Sequence, residues 1–87
     1  MSYRVEIETS AIREFQKLPK EAKASLGDVL DNLEREPRPL GAKKLINQEG
    51  YRIRKGDYRI LYAVDDKALV VQVYRIGHRR DVYRHLR

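Results

Sequence analysis

The spacing of the apolar residues changes from a helical period to a strand period at Gly50, and the change predicts an α+β fold. Between Ile12 and Leu33 the apolar residues recur every three or four positions, the period of a helix that buries one face. After Gly50 they alternate with polar residues, the period of a half-buried strand. The alternation predicts strands over residues 51–54, 58–64 and 68–76, and a further N-terminal strand that contains Tyr3, Val5 and Ile7.

Two helices are predicted between the N-terminal strand and a connecting loop over residues 38–49. The first helix has its expected N-terminal cap at Thr9 or Ser10. The second is expected to begin at Pro19, where the missing N–H costs nothing, and to end before Pro37. Their apolar faces are expected to form the core, with Ile12, Phe15 and Leu18 in the first helix and Ala22, Leu26, Val29, Leu30 and Leu33 in the second.

These elements predict a single domain over residues 1–87, in which two helices pack on one face of a small antiparallel sheet. The element order is β-α-α-β-β-β, followed by a short C-terminal helix. A chain of 87 residues supports one modest core. The last strand is apolar on both of its faces, with Leu69, Val70, Val71 and Val73, so it is expected to lie in the centre of the sheet and to be covered on both sides.

The composition excludes several classes of protein. The chain has no cysteine, so it has neither a disulfide framework nor a thiolate metal site. It contains no continuous apolar stretch long enough for a transmembrane helix, and its alternating N-terminus is unlike a signal peptide. We therefore expect a cytoplasmic protein that has no metal, no small-molecule cofactor and no membrane partner.

The excess positive charge lies entirely in the second half of the chain. The net charge is +6. Residues 1–49 contain nine Lys or Arg and nine Asp or Glu, whereas residues 50–87 contain ten Lys or Arg and four Asp. Eight of those ten basic residues are arginine, which makes bidentate contacts with phosphate oxygens and stacks on bases. This distribution predicts a polyanion-binding surface in preference to a merely solubilising one.

A tight turn in the first hairpin would gather three arginines on one face of the sheet. With a two-residue turn, at 55–56 or 56–57, Arg52 and Arg54 share a face with Arg59, and the tyrosines and isoleucines point to the helices. A three-residue turn would instead place Arg59 with the apolar set. Like charges opposite each other in a sheet are destabilising, so the cluster indicates an anionic ligand that offsets this cost.

The end of the chain extends this basic surface. Arg75, Arg79 and Arg80 continue it, and Tyr83 is able to stack on a base, as aromatic side chains do in single-strand recognition. The expected ligand is RNA rather than DNA, because the chain has no helix-turn-helix or long basic helix to enter a major groove.

Two stretches resemble the RelE family of toxins from prokaryotic toxin–antitoxin pairs, within the wider RelE/ParE superfamily: YRIRKGDYRILYAVDD and VVQVYRIGHRRDVYR. The opening YRVEIETSAIREFQKLP and the order of elements agree, so the resemblance covers nearly the whole chain. It implies a compact fold like that of small microbial ribonucleases. It also implies a metal-independent endonuclease that cuts messenger RNA in the decoding site of the ribosome and thereby inhibits translation.

The resemblance also implies which residues act on RNA. The functional residues of the family fall here on Arg52, Arg54, Arg59, Arg79 and Tyr83. Of these, Arg54, Arg59, Arg79 and Tyr83 are predicted to be catalytic. The predicted RNA-binding residues are Arg52, Lys55, Arg75, His78 and Arg80.

The partners implied by the resemblance are a RelB-like antitoxin, messenger RNA and the RNA of the ribosome. The antitoxin is expected to wrap the toxin and to block or distort the basic surface. Toxin and antitoxin are expected to form a hetero-oligomer that represses its own operon.

One departure from the family concerns the general base. The family often has lysine where this chain has Arg54, and a guanidinium hardly loses its proton. Arg54 is therefore predicted to hold the phosphate. Proton transfer is left to Tyr83, His78 or Lys55, or to a ribosomal group. His78 is equally well interpreted as a residue that fixes the strand end, and its spacing from His85 does not match metal ligands.

Two other functions fit the same sequence. One is a ParE-type inhibitor of DNA gyrase, built on the same fold without ribonuclease chemistry. The other is a non-catalytic RNA-binding regulator of translation, for which the basic surface would suffice. The arginine cluster with Tyr83 favours the RNA-cleaving toxin.

Overall fold

A computed structural model describes residues 2–82. This part of the chain forms two helices and five strands in a single sheet of order β1-β5-β4-β3-β2, in which β1 and β5 are parallel and the other neighbours antiparallel. The predicted α+β class is confirmed. The elements are β1 (Arg4–Ile7), α1 (Thr9–Gln16), α2 (Lys20–Asn32), β2 (Lys43–Lys44), β3 (Tyr51–Lys55), β4 (Tyr58–Asp65) and β5 (Val70–His78).

The core lies between the two helices and one face of the sheet. Alternate residues of the strands meet the helices there, as the period of two predicts. None of the helices in residues 2–82 combines the length and apolar character that a membrane span requires. The buried cluster consists of Ala11, Leu26, Leu30, Leu33, Ile53, Ile60, Tyr62, Val71, Val73 and Ile76.

The start of α1 differs from the prediction. Thr9 is already helical and Glu8 occupies the N-cap position without a side-chain hydrogen bond, so the cap expected from Thr9 or Ser10 is wrong. Ala11 of α1 faces the core, where it is fully buried, and Ile12 is left 41% exposed. The interpretation of Ile12 as a core residue is therefore wrong, because α1 joins the core cluster through Ala11.

The surroundings of β5 also differ from the prediction. β5 lies inside the sheet between β1 and β4, as expected. Among residues 2–82, helices cover one face of it: Val71 and Val73 are buried, whereas Val70 and Gln72 stay partly exposed. The predicted strand begins too early, at residue 68, because Leu69, with a φ of 57°, belongs to the turn before β5. The loop predicted over residues 38–49 contains the short edge strand β2.

Gly50 occupies a position that only glycine tolerates. Its φ is 113°, and a Cβ atom there would lie 2.5 Å from the backbone oxygen of Tyr62. The carbonyl of Gly50 also accepts a hydrogen bond from the N–H of Leu45 at 2.9 Å. This residue therefore fixes where β3 begins against β4, and with it the position of the hairpin.

We expect the Gly50→Ala variant to lose about 2 kcal/mol of unfolding free energy, because alanine meets both backbone strain and a steric clash. Denaturant titration measures the change. The matched control is Gly27→Ala in α2, where the added Cβ meets nothing within 4 Å in the described structure. That control is expected to gain up to about 1 kcal/mol from helix propensity. Equal stability of Gly50→Ala and the wild type would contradict the close approach to Tyr62.

A polar network ties the loop after α2 to the β4–β5 turn. Arg38 donates two hydrogen bonds to the carboxylate of Asp66, at 3.1 and 2.9 Å, and its Nε donates to the Tyr51 hydroxyl at 2.9 Å. The Tyr3 hydroxyl donates to the same carboxylate at 2.8 Å. These donors, Arg38 first, hold the pKa of Asp66 below its ordinary value. The acidic turn is therefore a structural anchor.

The stability of the protein is expected to depend on pH through Asp66. Because its pKa is lowered in the folded state, its contribution is present above the unfolded value of about 4 and is lost as the pH falls through the folded value. We expect the wild type to lose more stability than Asp66→Asn between pH 7 and pH 3, measured by thermal unfolding. Equal losses would show that the network does not stabilise the fold.

Candidate active site

The face of the sheet opposite the helices carries the arginines of the β3–β4 hairpin. The turn consists of Gly56 and Asp57, and Arg54 of β3 stands directly opposite Arg59 of β4. Residues directly opposite each other in an antiparallel pair share a face. Arg52 lies on this face as well, opposite Leu61. The predicted two-residue turn and its register are confirmed, and we call Arg52, Arg54 and Arg59 the basic face.

Arg59 is the most constrained member of the basic face. The residue is only 8% exposed. Its Nη1 donates hydrogen bonds to the carbonyl oxygens of Gly56 at 2.9 Å and Tyr58 at 2.8 Å, so the hairpin itself orients the guanidinium. No carboxylate oxygen of residues 2–82 lies within 4 Å of it. A buried charge without a partner is costly, and an anionic ligand would compensate it.

The other two arginines of the basic face also lack acidic partners within the described part of the chain. Arg54 is exposed and Arg52 half-buried. Lys43 of β2 stands opposite Arg52 and adds a further positive charge. The sequence did not reveal this contribution of Lys43, because only the pairing of β2 with β3 brings it to the hairpin; the adjacent lysines were its only signal.

The far end of the same face carries charges of both signs. Gln72 of β5 pairs there with both Glu6 of β1 and Ala63 of β4, and Glu6 forms a salt bridge with Arg4 at 2.8 Å. Glu49, Asp65 and Lys67 line the same open depression. Within residues 2–82, the arginines without a carboxylate partner on this face therefore lie at the hairpin end.

Arg75 is held within the protein, although the sequence predicted that it binds RNA. Its Nε forms an ion pair with Glu14 of α1 at 3.1 Å, and its Nη2 donates to the carbonyl of Asp81 at 3.1 Å. The side chain is 16% exposed. Glu14 also accepts a hydrogen bond from the N–H of Ile76 at 3.0 Å. Ile76 lies in the part of β5 that extends past its pairing with β1. Arg75 and Glu14 therefore join α1 to the edge of β5.

Arg79 is anchored to the same turn that orients Arg59. Its backbone N–H donates to the carbonyl of Asp57 at 2.7 Å, and its Nε lies 3.8 Å from the Asp57 carboxylate. Both side chains are more than half exposed, and such an ion pair is weak. The guanidinium of Arg79 is thus available to a ligand, and the turn brings it to the hairpin. Arg80, the next residue, is exposed.

His78 and Lys55 lie on the opposite side of the sheet from the basic face. Each stands directly opposite Tyr58, which packs toward the helices. The rings of His78 and Tyr58 meet edge to face at 5.7 Å, and His78 Nδ1 accepts a hydrogen bond from the N–H of Arg80 at 3.1 Å. In the neutral ring the proton then resides on Nε2. These contacts match the interpretation that His78 fixes the strand end.

Two predicted features fall outside the described residues. These are Tyr83, predicted to be catalytic, and the short C-terminal helix. Residues 79–82 form a turn, in which the N–H groups of Asp81 and Val82 donate to the carbonyl of His78 at 2.8 and 3.0 Å. Within residues 2–82, His, Asp and Glu side chains form no group of three or more that could hold a metal ion.

The sequence matches known toxins over nearly its full length. A family model described as the ParE toxin of a type II toxin–antitoxin system matches residues 5–83. Over 86 residues the chain is 36% identical to toxin RelG of Mycobacterium tuberculosis, covering 97% of this chain and 99% of the relative. The chain belongs to the RelE/ParE family of type II toxins. The RelE/ParE resemblance is confirmed.

Further similarities place this toxin with the RelE branch of the family. It is 37% identical over 88 residues to toxin RelE of Mycobacterium tuberculosis, covering 94% of this chain and 87% of the relative. Its fold matches the toxin–antitoxin complex RelBE of the same organism with a TM-score of 0.80 and 32% identity, covering 90% of this chain and 99% of the other. These RelE-type relatives favour the RelE prediction over a ParE-type gyrase inhibitor.

Proposed function

We propose that this RelE-type toxin is an endoribonuclease that cuts messenger RNA on the ribosome and so inhibits translation. The observation that carries the proposal is Arg59, a buried and oriented guanidinium with no carboxylate partner in residues 2–82, directly opposite Arg54. Residues 2–82 hold two positive charges together at one end of a sheet face and place no carboxylate within 4 Å of either. A phosphodiester supplies the missing negative charge.

The reaction that suits this arrangement is attack by the ribose 2′-oxygen on the adjacent phosphorus. The 2′-oxygen forms a bond to phosphorus while the bond to the 5′-oxygen breaks, which leaves a 2′,3′-cyclic phosphate and a free 5′-hydroxyl. Negative charge grows on the phosphoryl oxygens during the attack. Guanidinium groups in fixed positions stabilise that charge, and Arg54 and Arg59 are proposed to do so.

The reaction also needs one proton to leave the 2′-hydroxyl and another to reach the 5′-oxygen. Arginine performs neither transfer well, because its pKa is too high. His78 and Lys55 stand on the helix side of the sheet, away from Arg54 and Arg59. We therefore assign proton transfer to Tyr83 or to a group of the ribosome, and to Arg79 the stabilisation of the phosphate from the side of the turn.

We also propose that a RelB-like antitoxin controls this toxin in the cytoplasm. The structural relative from Mycobacterium tuberculosis is a toxin bound to its antitoxin. An antitoxin that covers the basic face would supply acidic side chains to Arg52, Arg54 and Arg59, which lack them within residues 2–82. In this complex the pair is proposed to repress its own operon.

The test is to induce the toxin without its antitoxin and to map transcript ends and plasmid supercoiling in the same cells. We expect new 5′ ends within translated codons, arrested protein synthesis and unchanged supercoiling. Altered supercoiling with intact transcripts would favour a gyrase inhibitor. Arrested translation with intact transcripts would favour a non-catalytic RNA-binding regulator.

A further inference from the structure

Arg54 and Arg59 belong to a row that continues onto β5. Arg54 stands opposite Arg59 across the hairpin, and Arg59 stands opposite Gly77 across the next pair of strands. All three positions therefore share the face that lies away from the helices. The row ends beside Arg79, whose backbone N–H donates a hydrogen bond to the carbonyl of Asp57 in the hairpin turn. Gly77 is thus the one member of the row without a side chain, and charged groups flank it.

The described part of the fold does not explain why residue 77 is glycine. Its φ is not in the left-handed region, so other residues could adopt this backbone. A Cβ atom added to it would meet no atom of residues 2–82 within 4 Å, its chain neighbours aside. In Gly50, by contrast, both the backbone and the contact require glycine. A glycine inside a strand weakens it, and its presence without a structural cause often marks the close approach of a ligand.

The space over Gly77 is bordered by a guanidinium that turns away from it. Nη1 of Arg59 bonds to the carbonyl oxygens of Gly56 and Tyr58 at the hairpin turn, so this side chain lies beside Gly77 rather than across it. The result is bare backbone at Gly77 with Arg59 opposite it, beside an open depression lined by Lys17 and Arg75 and also by Glu14 and Asp81. A ribose–phosphate unit suits the space over Gly77, since the sugar can rest on the bare backbone while the phosphate meets the guanidinium groups.

We infer that Gly77 is the point at which the RNA backbone rests on the sheet, and that its missing side chain sets how closely the scissile phosphate approaches Arg59. The inference rests on the proposed ribonuclease function. Residue 77 is then a positioning residue. It acts on the substrate because it has no side chain, and it contributes no charge.

The test is a size series at position 77: Gly77→Ala, Gly77→Val and Gly77→Leu. Cleavage of a short messenger RNA is followed on programmed ribosomes at several toxin concentrations, all in excess of the ribosomes. The dependence of the rate on toxin concentration gives the maximal rate and, separately, the concentration at half-saturation. We expect the maximal rate to fall about tenfold for alanine and about 10²-fold for valine and leucine, as for a misplaced reacting group. The denaturant midpoint is expected to stay the same or rise. The control Gly27→Ala is expected to cleave at the wild-type rate.

The possible outcomes separate this inference from the proposed function. A graded loss of rate with an unchanged midpoint supports it. Wild-type rates for Gly77→Val, with Arg59→Ala inactive, would overturn it and leave the ribonuclease proposal intact. A lowered midpoint would overturn it as well, because residue 77 would then serve the protein's own packing. A wild-type protein that cuts no messenger on the ribosome would refute the proposed function, and this inference with it.

Discussion

The Arg59→Ala variant is expected to cut messenger RNA on programmed ribosomes about 10²- to 10³-fold more slowly than the wild type, the usual effect of removing one preorganised donor from a transition state. Arg59 is buried and oriented by Gly56 and Tyr58 before any substrate arrives, so little reorganisation is needed when charge develops on the phosphate. Single-turnover kinetics at saturating toxin measure the change in the maximal rate.

Two further variants distinguish charge from geometry at this position. Arg59→Lys keeps the positive charge but loses the planar guanidinium, in which Nη1 alone donates to both carbonyls and the other nitrogens can meet a phosphate, so we expect it to recover only part of the rate. Arg13→Ala removes an exposed arginine from α1, in the helix layer, and is expected to cleave normally. Circular dichroism and denaturant titration confirm that each variant is folded. Full activity of folded Arg59→Ala would remove this residue from the active site.

The hairpin could be predicted because its determinants are local. Alternating residues set the two faces of β3 and β4, and a glycine at position 56 with φ of 58° closes a two-residue turn. Those two features fix which arginines share a face. The opposition of Arg54 and Arg59 follows from them without reference to the rest of the fold.

The surroundings of that hairpin could not be predicted, because they depend on contacts between distant parts of the chain. Arg75 and Arg79 are arginines of the same C-terminal segment, yet Glu14 of α1 holds the first, while in residues 2–82 the second lies beside the exposed Asp57 of the hairpin turn. His78 likewise meets the ring of Tyr58, a residue of the neighbouring strand. Charge patterns identify basic segments, and only the tertiary fold decides which side chains remain available.

The partners of the arginines divide this protein into a structural and a functional part. Arg38 bridges two turns through Asp66, and Arg75 joins a helix to a strand edge through Glu14. The arginines of the basic face, by contrast, lack carboxylates within the described residues although the chain carries 13 Asp and Glu in all. Repulsion between them is expected to lower the stability of the free protein, a cost that the proposed RNA ligand would offset.

The Arg54→Thr variant is expected to change stability and activity in opposite directions. Threonine removes one of two like charges that face each other and keeps a residue type that favours strands, so the free energy of unfolding is expected to rise by about 0.2–1 kcal/mol. Cleavage on programmed ribosomes is expected to fall about 10²-fold, because the phosphate loses one guanidinium. Denaturant titration and single-turnover kinetics on the same preparation measure both effects.

The matched control for this variant is Arg35→Thr, which removes an exposed arginine after α2 that has no carboxylate within 4 Å in residues 2–82. It is expected to leave both stability and cleavage near the wild-type values, because no like charge faces it across a strand pair. A variant at position 54 that loses both activity and stability would show that Arg54 supports the fold. A gain in stability with full activity would show that the repulsion is real but that the phosphate lies elsewhere on the basic face. Only the combination of higher stability and lost cleavage fits a phosphate held between Arg54 and Arg59.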